Sequence, residues 1–129
     1  MNNRILMIDD EPDVLDGYKR NLKEHFGVFT AANSADAMKI VKSEDEFAVF
    51  ISDYKMPGMN GIALLSILKK ISPGTIRVLI TGHPDAEVAI DAVNEGQIFR
   101  FLSKPYPMSR LIRVINECIE EYNSQLKNK

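Results

Sequence analysis

Apolar residues fall along this chain in two alternating rhythms. Short, nearly unbroken runs at Ile5 to Ile8, Val28 to Ala32, Phe47 to Ile51, Ile76 to Ile80 and Ile98 to Leu102 have the length and continuity of strands covered on both faces. Between them, apolar positions recur every three or four residues, the spacing of a helix with one buried face. Pro12 suits the first turn of one such helix, whose inward face is Val14, Leu15, Tyr18, Leu22 and Phe26, with Gly27 where it would stop. Asn33-Ser34 caps a second helix carrying Ala37, Met38, Ile40 and Val41, which ends in the charged stretch Lys42 to Glu46. The Pro-Gly and Asn-Gly pairs within Lys55 to Gly61 mark a loop, after which Ile62, Leu65 and Leu68 line a third helix closed by Ser72-Pro73-Gly74. A fourth helix is expected over Glu87 to Asn94, ending at Gly96, and a last one from about Met108 to Gln125. Five alternations of strand and helix predict an α/β fold with a parallel sheet and right-handed crossovers.

Length and charge narrow the classes without choosing among them. A chain of 129 residues is one domain's worth. With 16 basic and 18 acidic residues the formal charge is -2, which gives no overall attraction to nucleic acid or to an anionic membrane. Cys118 is the only cysteine, so there is no intrachain disulfide framework and no cluster of thiolate ligands. Only four consecutive apolar residues follow Met1-Asn2-Asn3-Arg4, too few for a signal-peptide core or a membrane span, and a cytoplasmic protein is expected.

The chemistry sits where the apolar runs end. Asp9-Asp10 follow the first run, Asp53 the third, Thr81 the fourth, and Ser103-Lys104-Pro105 the fifth. In an open parallel sheet these ends share one edge, where ligands bind. Three carboxylates brought together resist joint ionisation unless a cation neutralises them. Mg2+ suits such a set, since it takes carboxylate, water and phosphate oxygens; Mn2+ is a plausible substitute. A phosphoryl group would then meet an ammonium at Lys104 and a hydroxyl at Thr81, and a carboxylate can serve as nucleophile by forming an acyl phosphate.

Asp9-Asp10, Asp53 with Met56-Pro57 after it, Thr81 and Lys104-Pro105, in this order and at strand ends, resemble the receiver domain of two-component response regulators over essentially the whole chain. The resemblance implies a single receiver over residues 1–129, a flavodoxin-like (βα)5 open sheet of strand order 2-1-3-4-5 with helices on both faces, and a last helix, about 108–125, leading towards a linker to an effector domain. It implies that Asp53 accepts a phosphoryl group from a sensor histidine kinase or phosphotransfer protein. Asp10 would ligate Mg2+ directly, Asp9 largely through water, and Asp53 and the backbone carbonyl of Lys55 would share the metal. Lys104 would pair with the phosphoryl group, Thr81 would hydrogen-bond it, and Lys104-Pro105 would be a cis peptide. Phe101 would be the switch aromatic, turning inward as Thr81 moves and so reshaping the face of the fourth helix, fifth strand and last helix that controls an output domain or partner. No turnover enzyme is implied, only Mg2+-dependent self-phosphorylation and autodephosphorylation.

Other residues are read more plainly. Lys55 and His83, each two positions past a site residue, lie where water would reach an acyl phosphate and are expected to tune its lifetime. His25 is read as a helix-terminus charge and Cys118 as a small core residue. On the last helix, positions 112, 115, 119, 122 and 126 alternate steps of three and four, the spacing of a coiled-coil seam. Weak homodimerisation through the fourth and last helices, strengthened by phosphorylation, is expected from it; core burial of the same residues is the competing reading. Gly96 to Phe101 departs from the common receiver pattern and resembles receivers that precede cyclic-dinucleotide phosphodiesterase or cyclase domains, or that sit in hybrid kinases, rather than those of DNA-binding regulators. A haloacid-dehalogenase-type phosphohydrolase would need a second acid two residues after Asp53, where Lys55 stands. A degenerate docking receiver would have lost the acceptor set, which is present here.

Overall fold

The strands pair in the order β2-β1-β3-β4-β5, all parallel, in a computed structural model that describes residues 1–82 and 98–128. They are β1 (Arg4–Ile8), β2 (Gly27–Ala31), β3 (Val49–Asp53), β4 (Ile76–Thr81) and β5 (Arg100–Ser103), and the described helices are α1 (Pro12–Leu22), α2 (Ser34–Ser43), α3 (Gly61–Ile71) and α4 (Met108–Lys127). The helix expected over Glu87 to Asn94 lies outside the described residues, as does His83. The rest is the flavodoxin-like arrangement expected from the sequence.

Two separate cores explain why the central strands are apolar at successive positions. Along β1, Ile5 and Met7 face a layer made with α1 and α4, while Leu6 and Ile8 face a layer made with α2 and α3. Successive side chains on a strand point to opposite faces, so a sheet covered twice needs an apolar residue at each step. The alternation repeats in β3, where Val49 and Ile51 join the first core and Phe50 the second. Each fully buried large apolar side chain of this kind contributes about 1.5–3 kcal/mol relative to leaving it in water.

Helix ends follow local chemistry. Pro12 opens α1 after Glu11, and the side chain of Asn33 caps α2 by accepting from the Asp36 N–H. Gly27 is not the stop of α1: the helix ends at Leu22, a turn closes with the Phe26 N–H donating to the Leu22 carbonyl, and Gly27 begins β2. Of the two readings of the spacing on the last helix, core burial accounts for three of the five positions. Ile115, Ile119 and Tyr122 are buried in the first core, and of the five positions only Leu126 is an exposed large apolar residue. A period of three and four residues describes any helix with one buried stripe, and here the sheet takes that stripe.

Candidate functional site

Chain order reverses between β1 and β3, since β2 lies on one side of β1 and β3 on the other. The crevice above that reversal holds Asp9, Asp10 and Asp53. Asp9 follows β1 directly, its N–H donating to the Ala31 carbonyl at 3.2 Å, and its Oδ1 accepts the Glu11 N–H at 2.9 Å as α1 begins. Asp53 is the last residue of β3, in register with Ile80 of β4. Asp9 is 3 % exposed and Asp53 8 %. Carboxylate oxygens of Asp9, Asp10 and Asp53 lie within 4.8 Å of one another.

The remaining members arrive on β4 and β5. Thr81 ends β4, 4 % exposed, in register with Ser103, and its carbonyl accepts the Lys104 N–H at 2.9 Å. That bond starts the loop after β5 in a fixed place, and the Lys104 Nζ reaches Asp53 Oδ1 at 2.8 Å. The Lys104-Pro105 peptide is cis. Phe101 faces the α2 and α3 side, partly buried against Leu79's cluster. Lys55 is exposed and, with Tyr54, Met56, Pro57 and Asn60, lines an open cleft beside the site. His83 lies outside the described residues.

Charge in this cluster is unevenly balanced. Burial pushes the pKa of Asp9 above the ordinary 3.8, the Asp53 and Asp10 charges add to the rise, and the Glu11 N–H and the Lys104 ammonium oppose it. Burial works to lower Lys104, yet its hydrogen bond to Asp53 and the charges of Asp53 and Asp9 outweigh that and hold it above its ordinary value. Three hard oxygen donors facing one ammonium fit a small divalent cation, which would neutralise what Lys104 leaves unbalanced.

Two further features position the site. A Cβ on Gly61 would collide with the Asp53 backbone carbonyl oxygen and stand 2.9 Å from Leu79 Cδ1, so only glycine lets α3 begin against the end of β3. Its N–H also donates to the Tyr54 carbonyl at 2.8 Å, and the Asn60 side chain caps α3 by accepting the Ala63 N–H at 2.9 Å. The Asn-Gly pair signalled a turn, but nothing in the sequence alone shows what that glycine touches. The second feature is a hydrogen bond of 2.6 Å between the hydroxyls of Tyr18, on α1, and Tyr106, two residues past Lys104. Helical spacing had placed Tyr18 on a core face; its partner could not be read.

The sheet, its topological reversal and the acid cluster with a facing lysine define an open α/β fold with a strand-end site suited to a divalent cation beside an anionic ligand. The chain belongs to the response regulator receiver domains, whose family profile matches residues 5–116. A hydrogenase transcriptional regulatory protein, HoxA of Bradyrhizobium diazoefficiens, is 30% identical over 121 residues, covering 94% of this chain and 25% of that protein. The chain thus spans about a quarter of the length of such curated relatives. Among solved structures, that of an adenylate cyclase from Rhodopirellula baltica has a TM-score of 0.96 at 39% identity, covering 99% of this chain and 95% of that one. The beryllofluoride-activated NtrC4 receiver domain dimer has a TM-score of 0.84 at 30% identity, covering 93% and 98%. Receivers of this kind are phosphorylation-activated signalling switches that control output domains, not metabolic enzymes. Among the described residues no helix is long and apolar enough to cross a membrane.

Proposed function

We propose that Asp53 is the phosphoacceptor of this receiver. The observation carrying the reading is that, among the described residues, Asp53 alone lies both in the acid cluster and against the Lys104 ammonium, at 2.8 Å. In the step, the N–P bond of a phosphohistidine breaks as an O–P bond to Asp53 forms, and the departing imidazole nitrogen keeps the electron pair. Asp9, Asp10, Asp53 and the Lys55 carbonyl would hold Mg2+, or Mn2+ in its place, which when bound supplies positive charge for the phosphoryl oxygens. Lys104 meets one of those oxygens and Thr81 another. The same chain then loses the group to water, with Lys55 and His83 setting how fast.

The modification adds about -1.5 to -2 charge at neutral pH to a buried strand end, and its effect is a shift between two packings of one fold. Thr81 and Phe101 link the site to the edge of the sheet: Phe101 is in register with Leu79 on β4, two residues before Thr81. The partners on this reading are a sensor histidine kinase or phosphotransfer protein and an output domain or protein. Self-association of the phosphorylated form is supported by the activated dimer of the NtrC4 receiver. The relatives' names include both transcriptional regulators and an adenylate cyclase, so the receiver is not confined to one kind of output.

Intact mass after incubation with Mg2+ and a small phosphodonor tests the assignment. One phosphoryl adduct is expected on the parent chain and none on Asp53→Asn. An adduct absent from the parent, or persisting in the variant, overturns it.

A further inference from the structure

We propose that the Tyr18–Tyr106 hydrogen bond is a strap that positions Lys104 for phosphoryl transfer, an inference that rests on the reading of Asp53 and Lys104 above. The loop after β5 is thinly held. Lys104, Pro105 and Pro107 are exposed, and Tyr106 between them is the one residue of the four that is partly buried, its ring against the α1 and α4 core. Upstream the loop is tied by the Lys104 N–H to the Thr81 carbonyl, and downstream the Arg110 N–H donates to the Pro107 carbonyl as α4 begins. Between these points, among the described residues, the side-chain hydrogen bond to the body of the protein is that of the Tyr106 hydroxyl, 2.6 Å from that of Tyr18.

Both hydroxyls lie in a partly buried setting where a phenylalanine pair would pack with no polar atom to desolvate, so the oxygens carry a cost that packing alone does not require. What the oxygens add is direction and distance. Tyr18 sits on α1, the helix that begins at the residues Asp9 itself holds through the Glu11 N–H. The phenol pair therefore joins the helix that follows the acid pair to the loop carrying the ammonium, across 88 residues of chain. Burial raises the pKa of both phenols, so the strap is neutral and brings no net charge to the cluster. The Lys104 side chain is long and flexible, and its ammonium is only as well placed as the backbone that bears it. A misplacement of about 1 Å at a reacting centre can cost about a hundredfold in rate.

Tyr18 and Tyr106 are thus positioning residues, and their effect should pass through Lys104. Tyr18→Phe, Tyr106→Phe and the double variant are compared in the parent and in Lys104→Ala, by phosphorylation rate with a small donor and Mg2+ and by calorimetric affinity for beryllofluoride with Mg2+. Either single change is expected to slow phosphorylation and weaken beryllofluoride binding about 3- to 10-fold, the double change no more than one. In Lys104→Ala neither tyrosine change should alter beryllofluoride affinity or Mg2+ affinity further. Unchanged rates and affinities in both single variants overturn the strap, as does an equal loss with and without Lys104. A parent chain that neither phosphorylates nor binds beryllofluoride overturns the acceptor reading itself, and the strap with it.

Discussion

The Lys104 ammonium stands 2.8 Å from Asp53 Oδ1, with the lysine side chain 41% exposed and the aspartate side chain 10%. The buried acid is therefore served by a cation that water can reach and that a phosphoryl oxygen can reclaim. Such a lysine has two opposed effects, since it helps an incoming phosphoryl group but repels a divalent cation entering the same acid cluster. Lys104→Ala is expected to slow phosphorylation at least about tenfold and to tighten Mg2+ binding several-fold. Calorimetry with Mg2+ alone and timed intact mass measure the two separately. Weaker Mg2+ binding in the variant would contradict this account of the charge balance.

Asp9 gives a pH dependence with a definite sign. Burial first, and the Asp53 charge second among the raising causes, lift its native pKa above 3.8 despite the Glu11 N–H. A carboxyl whose native pKa exceeds its unfolded value binds its proton more tightly when folded. Stability therefore falls as pH rises through the interval between the two values, and the loss is complete at neutral pH. Asp9→Asn removes that loss, so the metal-free variant should melt above the parent at pH 7 and together with it near pH 3. Added Mg2+ should raise the parent's melting temperature and do so much less in the variant. Thermal melts at two pH values, with and without the metal, check each part.

Gly61→Ala should be among the most damaging small changes in the chain. Its Cβ meets the Asp53 carbonyl and Leu79 Cδ1, and the first of these is backbone, which gives way only by moving the strand or the helix. Overpacking of this kind costs about 1–3 kcal/mol, which in a domain of this size lowers the melting temperature by about 3–10 °C. The acceptor's strand end must shift with it, so phosphorylation should slow as well. An alanine variant with parental melting and parental rate would show that α3 can back away from β3.

Gly61 also shows where sequence reading stops. Continuous apolar runs such as Ile5 to Ile8 reveal a strand covered twice, and polar residues at four strand ends reveal one edge of one sheet, because both follow from periodicity and topology alone. The acid cluster was legible for that reason. Contacts across the fold were not: Gly61 against Asp53, and Tyr18 against Tyr106, depend on where two distant segments touch. The period of the last helix was legible but ambiguous, since sheet packing and helix pairing leave the same trace in sequence.

Cys118 offers a check on the first core. Burial raises its thiol pKa to about 12, so thiolate at neutral pH is scarce and the sulfur has no exposed surface. Alkylation of the native protein at pH 8 should be slow and should follow the unfolding rate in denaturant. Rapid labelling under native conditions would place the C-terminal helix away from the sheet.

Helix α4 decides between core and seam by which property each substitution moves. Ile115 and Ile119 are 0% and 9% exposed, whereas Leu126 is 45% exposed near the helix end. Ile115→Ala removes a fully buried side chain and should cost about 2–5 kcal/mol of monomer stability. Leu126→Ala should leave melting within about 0.5 kcal/mol of the parent, as surface changes generally do. If the seam served a dimer instead, Ile115→Ala would lower association with little loss of monomer stability. Denaturant unfolding of both variants, repeated over a tenfold range of protein concentration, separates the outcomes, because monomer stability is independent of concentration and dimer stability is not.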